Sequence, residues 1–456
     1  MVLLEQRTSS RIPRLTRILI EHGNLLAEPA APLRYDCPVA IEGRTILAVG
    51  QQPPQFAPDE VIDASDCLVL PGLFNAHCHS PMTLVRGWAE DLPFDRWLNE
   101  RIWVAESVLQ PEDVYWGAAL AACELIRAGV VAFADHYFWM DRVAQVVQES
   151  GMKALLAWCV FGGDPQQEVG HTTFDTICDF TRQWHTAADG RIRTALGPHS
   201  PYMCPPAFLR QVARTAEALD VPVHLHLAES DEQVRRSLDQ HGRTPVAQLE
   251  ALGLMEQPLL AAHCISVDEA DIELLARRKV FVAHTPKTYM KLAMGMPPLA
   301  LLWQAGVTVA LGTDGPASNS DLNLLEAMRL TGLVQKLQQS DPEAAPLRQL
   351  LGMATRDGAR ALGFDESGAI APGAPADIVV VDTRGAHWTP RHDLVAGLVY
   401  ASHPSDVTHL LVDGQLLLRK GELTTLDEER IRHEAERRAR RLVGAPRMSR
   451  LRSYES

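Results

Sequence analysis

The run Leu68-Val69-Leu70-Pro71-Gly72-Leu73-Phe74-Asn75-Ala76-His77-Cys78-His79 opens as an apolar strand and ends in a polar turn. It continues Ser80-Pro81-Met82-Thr83-Leu84-Val85-Arg86-Gly87-Trp88-Ala89-Glu90-Asp91. Side chains two positions apart on a strand share a face, so His77 and His79 leave the strand end together with Cys78 turned away. That is how a chelating pair is built, although a bare His-x-His is also common in ordinary loops. The rest of the chain decides between the two.

Downstream, short apolar stretches alternate with longer segments of helical period, the pattern of repeated βα units. Strands are expected at Leu68–Phe74, Val130–Asp135, Met152–Trp158, Arg193–Gly197, Val221–Leu227, Leu259–His263, Val280–His284 and Val307–Gly312. Helices are expected at Pro111–Ala128, Pro205–Leu219, Val267–Arg277, Leu322–Lys336 and Leu347–Leu362, with Pro111 and Pro205 at first-turn positions. Eight such units make an α/β protein, a (β/α)8 TIM barrel, whose chemistry belongs at the C-terminal ends of the strands. β-rich texture recurs only at Arg17–Glu42, Val61–Leu70, Ala376–Asp382 and Thr408–Gln415. The two ends of the chain are therefore expected to pair into a small composite β-sandwich. Residues 1–70 and 365–456, the latter with a terminal helix, would form it around a barrel of residues 71–364. The segment up to about Leu15 reads as a loose extension.

The expected strand ends carry reactive groups. The first delivers His77 and His79, the fifth ends His224-Leu225-His226-Leu227-Ala228-Glu229, the sixth ends in His263, and the eighth in Gly312-Thr313-Asp314-Gly315. Singly, each is as readily a core histidine or a turn aspartate. Jointly, the imidazoles of His77, His79 and His226 with the carboxylate of Asp314 suit one zinc-like ion with room for a water, whose pKa it lowers to about 7. Iron or manganese would suit the same donors. His224 lies a step deeper and is expected to support the ligands. Glu229 can reach over the metal to move a proton between the water and a leaving nitrogen, and His263 can hydrogen-bond the group being attacked. The fourth strand ends Gly197-Pro198-His199-Ser200-Pro201-Tyr202 without the lysine that often bridges two metals, which favours a single ion.

Composition narrows the class further. Of 456 residues, 57 are Asp or Glu against 43 Lys or Arg, a formal charge of -14, which speaks against a nucleic-acid or anionic-membrane surface. The eight cysteines are scattered without a Cys-x-x-Cys pair, as in reduced buried thiols, and the thiolate-rich zinc site of nucleic-acid deaminases is missing. No stretch is long enough for a membrane span and no signal segment is evident, so a cytoplasmic protein is expected. A small-molecule partner is expected, and a homo-oligomer stays open.

With these motifs, Pro71-Gly72-Leu73, His77-Cys78-His79-Ser80-Pro81-Met82, Gly197-Pro198-His199-Ser200-Pro201-Tyr202, Ala262-His263-Cys264 and Leu311-Gly312-Thr313-Asp314-Gly315, the chain resembles the amidohydrolase superfamily. The nearest branch is that of the 5′-methylthioadenosine/S-adenosylhomocysteine deaminases, with guanine deaminase and triazine hydrolase relatives. The resemblance runs from about Arg17 to the C-terminal strands. It implies a zinc-dependent aminohydrolase that takes the exocyclic amine from a purine-like heterocycle as ammonia. It also implies that Glu106 meets ribose hydroxyls and that His199 faces the substrate. A guanine-type or aminotriazine hydrolase is the alternative within the class. A catalytically silent scaffold is the alternative outside it, and silent relatives lose the ligand set that this chain keeps.

Where such deaminases commonly carry His-Asn-Pro-x-Ser-Asn, this chain has His284-Thr285-Pro286-Lys287-Thr288-Tyr289. Lys287 is thereby a candidate substrate contact, able to meet an anionic substituent. The stretch Leu155–His171 is expected to line the pocket for the substrate's tail and offers Trp158, Val160 and Phe161 but no Lys or Arg. A methylthio group could pack there, whereas a homocysteine carboxylate would go unpaired, so 5′-methylthioadenosine is expected to be preferred over S-adenosylhomocysteine.

Overall fold

Eight parallel strands follow one another around one sheet in strict chain order: Leu73–Cys78, Val130–Tyr137, Lys153–Val160, Ile192–Pro198, Val223–Leu227, Leu259–His263, Phe281–His284 and Thr308–Leu311. In this computed structural model the described residues are 16–164, 168–444, 450–451 and 453–454. The extension expected before Leu15 lies outside them. The sheet closes between its last and first strands, where the Thr313 and Asp314 N–H groups both donate to His77 O at 3.2 and 2.9 Å. Asn75 completes the seam, its Nδ2 donating to Thr313 Oγ1 at 2.7 Å and its Oδ1 accepting from Thr313 N–H at 3.0 Å. Closure leaves no edge on this sheet and turns the strand ends into a ring.

The opening stretch is not one strand. Cys67–Pro71 belongs to a second sheet, pairing antiparallel with Ile378–Asp382, and only Leu73–Cys78 enters the barrel. Gly72 makes the crossing: its N–H donates to Asp377 O at 3.0 Å, and a Cβ there would stand 2.2 Å from Val131 Cγ1. Around the crossing the chain's two ends pair as expected. A four-stranded sheet of N-terminal strands faces a six-stranded sheet built mainly from Cys67–Pro71, Ile378–Asp382, Val407–Val412 and Gln415–Arg419. Ile18, Ile20, Ile41, Val69, Ile378 and Leu411 fill the space between them.

The helices begin where their caps dictate. Asp268 caps Glu269–Arg277 by accepting from Asp271 N–H, and Asn323 caps Leu324–Gln339 by accepting from Glu326 N–H. Pro205 is the cap and Pro206 the first-turn residue of Pro206–Leu219, one position later than the sequence suggested. The expected helix Leu347–Leu362 is two, Leu347–Ala354 and Arg356–Ala361, because Thr355 leaves helical geometry at φ -125°, ψ -94°. The stretch Phe94–Glu106 was not expected as a helix. It runs as two short α-helical pieces around a π-helical turn at Leu98–Ile102, and it forms one wall of the cavity described below. No helix among the described residues is long and apolar enough to cross a membrane.

Candidate active site

At the C-terminal rim of the barrel the chain turns sharply. Ala228, His263 and Asp314 hold positive φ values of 50°, 81° and 64°, a costly conformation for residues with a Cβ that bends each strand end over the barrel mouth. The ring of side chains so formed is buried: His77, His79, His226, Glu229, His263 and Asp314 are all less than a tenth exposed.

Hydrogen bonds fix the imidazole tautomers in sequence. His224 Nδ1 donates to Leu260 O at 2.8 Å, which leaves its Nε2 to accept from His77 Nδ1 at 2.9 Å. The expected supporting role of His224 is thus a specific one: it orients His77. His79 Nδ1 donates to His136 O at 2.6 Å, and His226 Nδ1 donates to His199 O at 2.9 Å. All three ligand candidates therefore turn Nε2 inward as a lone pair. His79 Nε2 and His226 Nε2 stand 3.3 Å apart, and Asp314 Oδ1 lies 3.3 Å from His79 Nε2 and 3.6 Å from His77 Nε2.

Lone pairs and a carboxylate at such spacing need a positive charge among them. Burial, joined by the neighbouring imidazoles, holds His77 and His226 well below the ordinary histidine range, so both stay neutral. Burial opposes ionisation of Asp314, but the bond and charge of His79 outweigh it and bring the carboxyl down to about 2. A proton on His79 answers only part of this demand, because His77 Nε2 remains buried with no hydrogen-bond partner. A divalent ion answers all of it. The residues present therefore fit a metal, and the site is a divalent-metal site.

Glu229 and His263 stand beside it. Glu229 Oε1 accepts from the Tyr202 hydroxyl at 2.9 Å and lies 3.7 Å from His263 Nε2, while His263 Nδ1 meets Thr285 Oγ1 at 3.3 Å. Burial raises the Glu229 carboxyl, partly offset by His263. The donor atoms of His226, Glu229 and His263 also fall within 4.8 Å of one another, as do those of His77, His79 and His226. The second trio has every Nδ1 engaged and Asp314 beside it as a fourth donor, so its inward lone pairs could hold a divalent ion.

These groups floor a cleft with about 660 Å³ of empty space, counted out into the solvent at its open mouth. Phe94, Trp97, Trp103, Phe138, Phe161 and Met294 give it an apolar wall, and Glu106 and His199 line it. Burial pushes the Glu106 carboxyl up to about 7, against the pull of the Tyr137 hydroxyl that donates to Glu106 Oε1 at 2.7 Å. His199 stacks on Phe161 with ring centres 5.1 Å apart.

Two expected contacts lie elsewhere. Alternation along Lys153–Val160 turns Cys159 into the cleft and Trp158 outward, against Phe180 at 5.3 Å. Lys287 does not line the cleft: its Nζ donates to Asp321 Oδ2 at 2.6 Å and Glu326 Oε2 at 2.5 Å. Burial works against its charge, but those two carboxylates keep it charged and engaged. Other groups went unforeseen. Asp135 accepts from Ser80 N–H at 2.8 Å and Ser80 Oγ at 2.5 Å, which fixes the turn after His79. The signal was present, since Asp135-His136-Tyr137 ends the second strand just as the other reactive groups end theirs.

Residues 68–417 match the amidohydrolase family. A 5-methylthioadenosine/S-adenosylhomocysteine deaminase of Pelotomaculum thermopropionicum is 43% identical over 434 residues, covering 94% of this chain and 99% of the relative. One of the same name from Dictyoglomus thermophilum is 46% identical over 387 residues, covering 84% and 90%. Among solved structures, an adenosine deaminase from Xanthomonas campestris with bound zinc superimposes with a TM-score of 0.89 at 35% identity, covering 94% of this chain and 99% of that one. Fold, metal site and relatives agree, and the chain belongs to the amidohydrolase family.

Proposed function

We propose that the protein is a zinc-dependent aminohydrolase acting on adenosine-type nucleosides, with 5′-methylthioadenosine preferred over S-adenosylhomocysteine. The observation that carries the reading is a carboxylate, Glu229, that is buried and held by Tyr202 beside the converging donors of His77, His79, His226 and Asp314. In this reading residues 71–364 carry the chemistry, and 1–70 with 365–456 frame it.

When bound, the ion supplies a Lewis acid that lowers a water's pKa to about 7. Glu229 would take a proton from the attacking water as its oxygen joins the ring carbon, and would pass it to the leaving amine, which departs as ammonia. Its raised affinity for a proton suits a group that must accept and then release one. His263 turns Nε2 to the same space and steadies charge developing on the ring. Glu106 is the residue we assign to the ribose hydroxyls.

Preference for the methylthio compound is supported by the lining of the cleft, which holds aromatic and aliphatic side chains but no Lys or Arg among the described residues. A homocysteine carboxylate would lose its water without gaining a partner. Lys287, the cation that could have served, is engaged by Asp321 and Glu326. An ammonia-release screen of the zinc-loaded protein over purines, their nucleosides and aminotriazines tests the assignment. Release from adenosine-type nucleosides is expected; release from aminotriazines alone, or from nothing, overturns it.

A further inference from the structure

The chain returns to the active site after its last helix, Glu428–Gly444. Leu451 N–H donates to Trp103 O at 2.9 Å. Tyr454 N–H donates to Asn99 Oδ1, and Asn99 Nδ2 donates back to Tyr454 O, both at 2.8 Å. This reciprocal pair fastens the backbone at Tyr454 to the Phe94–Glu106 wall of the cleft. The Tyr454 side chain is buried, its ring edge-on to Phe94 at 5.4 Å and to Tyr202 at 5.8 Å, and its hydroxyl faces Ser230 and Gln233.

Those neighbours are the ones that hold the proton shuttle. Tyr202 donates to Glu229 Oε1, and Gln233 Oε1 accepts from Glu229 N–H at 3.0 Å. Ser230 caps the helix Asp231–His241 that follows. A glutamate has three side-chain torsions to fix, so its reach is set by what its partners are packed against. Edge-to-face aromatic pairs are directional, and a buried tyrosine hydroxyl seeks a partner, so Tyr454 can fix Tyr202 and the Ser230–Gln233 turn at once.

We propose that Tyr454 is a positioning residue for Glu229. The contacts of Leu451 and Tyr454 join the two walls of the cleft, the Phe94–Glu106 stretch and the Tyr202–Gln233 side, and so set the distance between Glu229 and the water it deprotonates. The catalytic part of this inference rests on the deaminase reading; the structural part does not.

Two variants, Tyr454→Ala and Asn99→Ala, test it by amide hydrogen exchange on the metal-loaded full chain. Exchange over residues 229–234 is expected to rise about threefold or more in both, with Val223–Leu227 still protected. Unchanged exchange over 229–234, or a rise spread through the barrel strands, overturns the proposal whatever the substrate. In turnover, kcat on 5′-methylthioadenosine should fall about tenfold, with KM and metal content held and Tyr454→Phe retaining most of the rate, as for a misplaced proton shuttle. A kcat unchanged in Tyr454→Ala overturns the catalytic part. A wild-type chain that releases no ammonia would count against the deaminase reading, and the exchange result would still decide the structural part.

Discussion

His79 Nε2 and His226 Nε2 lie 3.3 Å apart, each with its Nδ1 already donating to a backbone carbonyl. Two nitrogen lone pairs at that separation repel unless a proton or a metal ion lies between them, and a proton on His79 would still leave His77 Nε2 buried without a partner. Chelation should therefore abolish turnover and lower the melting temperature, and zinc should restore both. At a free-metal level about a thousand times Kd, the linkage is worth about 4 kcal/mol. Thermal unfolding with and without chelator checks this; an unchanged midpoint would contradict the site.

Removing Glu229 should separate chemistry from metal binding. Glu229→Gln is expected to retain the ion while kcat falls about a hundredfold or more. His77→Ala or Asp314→Ala should instead weaken metal binding. Metal analysis beside kinetics distinguishes them, and loss of metal in Glu229→Gln would make Glu229 a ligand.

A pH signature should come from Glu106. Its carboxyl is raised to about 7 by burial, so the carboxylate proposed to accept ribose hydroxyl bonds predominates above that pH and is lost below it. KM for a nucleoside should rise as pH falls through about 7, with no matching dependence for the free base. Glu106→Gln should flatten the profile and cost about tenfold or more in kcat/KM, one charge-assisted hydrogen bond. A profile unchanged in the variant removes Glu106 from the binding site.

The gathering of these side chains at one rim was legible because strand parity and strand ends are properties of local sequence. His77, His79, His226, His263 and Asp314 could all be placed at one rim from spacing alone. The cleft walls were not legible. Trp158 reads as a pocket residue until the register shows that Cys159 takes the inward position, and Lys287 reads as a free cation until Asp321 and Glu326 arrive from 34 and 39 residues away. Tyr454 is farther still, 355 residues from Asn99, and no periodicity links the two. The split at Gly72 escaped because Cys67–Pro71 and Leu73–Cys78 are both buried throughout, with apolar residues on either side of the glycine, and only the partner strands tell them apart.

The seam between barrel and sandwich should be sensitive to one lysine. Lys153 Nζ donates to Asp377 Oδ2 at 2.5 Å and lies 2.8 Å from Asp413 Oδ1, all three buried or nearly so. Lys153→Met leaves a buried carboxylate uncompensated and should cost about 3–5 kcal/mol. Urea unfolding measures it; a loss below about 1 kcal/mol would mean that water or Ser367 compensates Asp377.

The proposed reaction is hydrolytic removal of an amine from an adenosine-type ring. The most direct measurement incubates the zinc-loaded protein with 5′-methylthioadenosine in heavy-oxygen water, and follows ammonia together with the mass of the nucleoside product. Ammonia and product are expected in equal amounts, with the label in the ring carbonyl and kcat/KM about tenfold or more above that for S-adenosylhomocysteine. Absence of ammonia, a product without the label, or a preference for S-adenosylhomocysteine would contradict it.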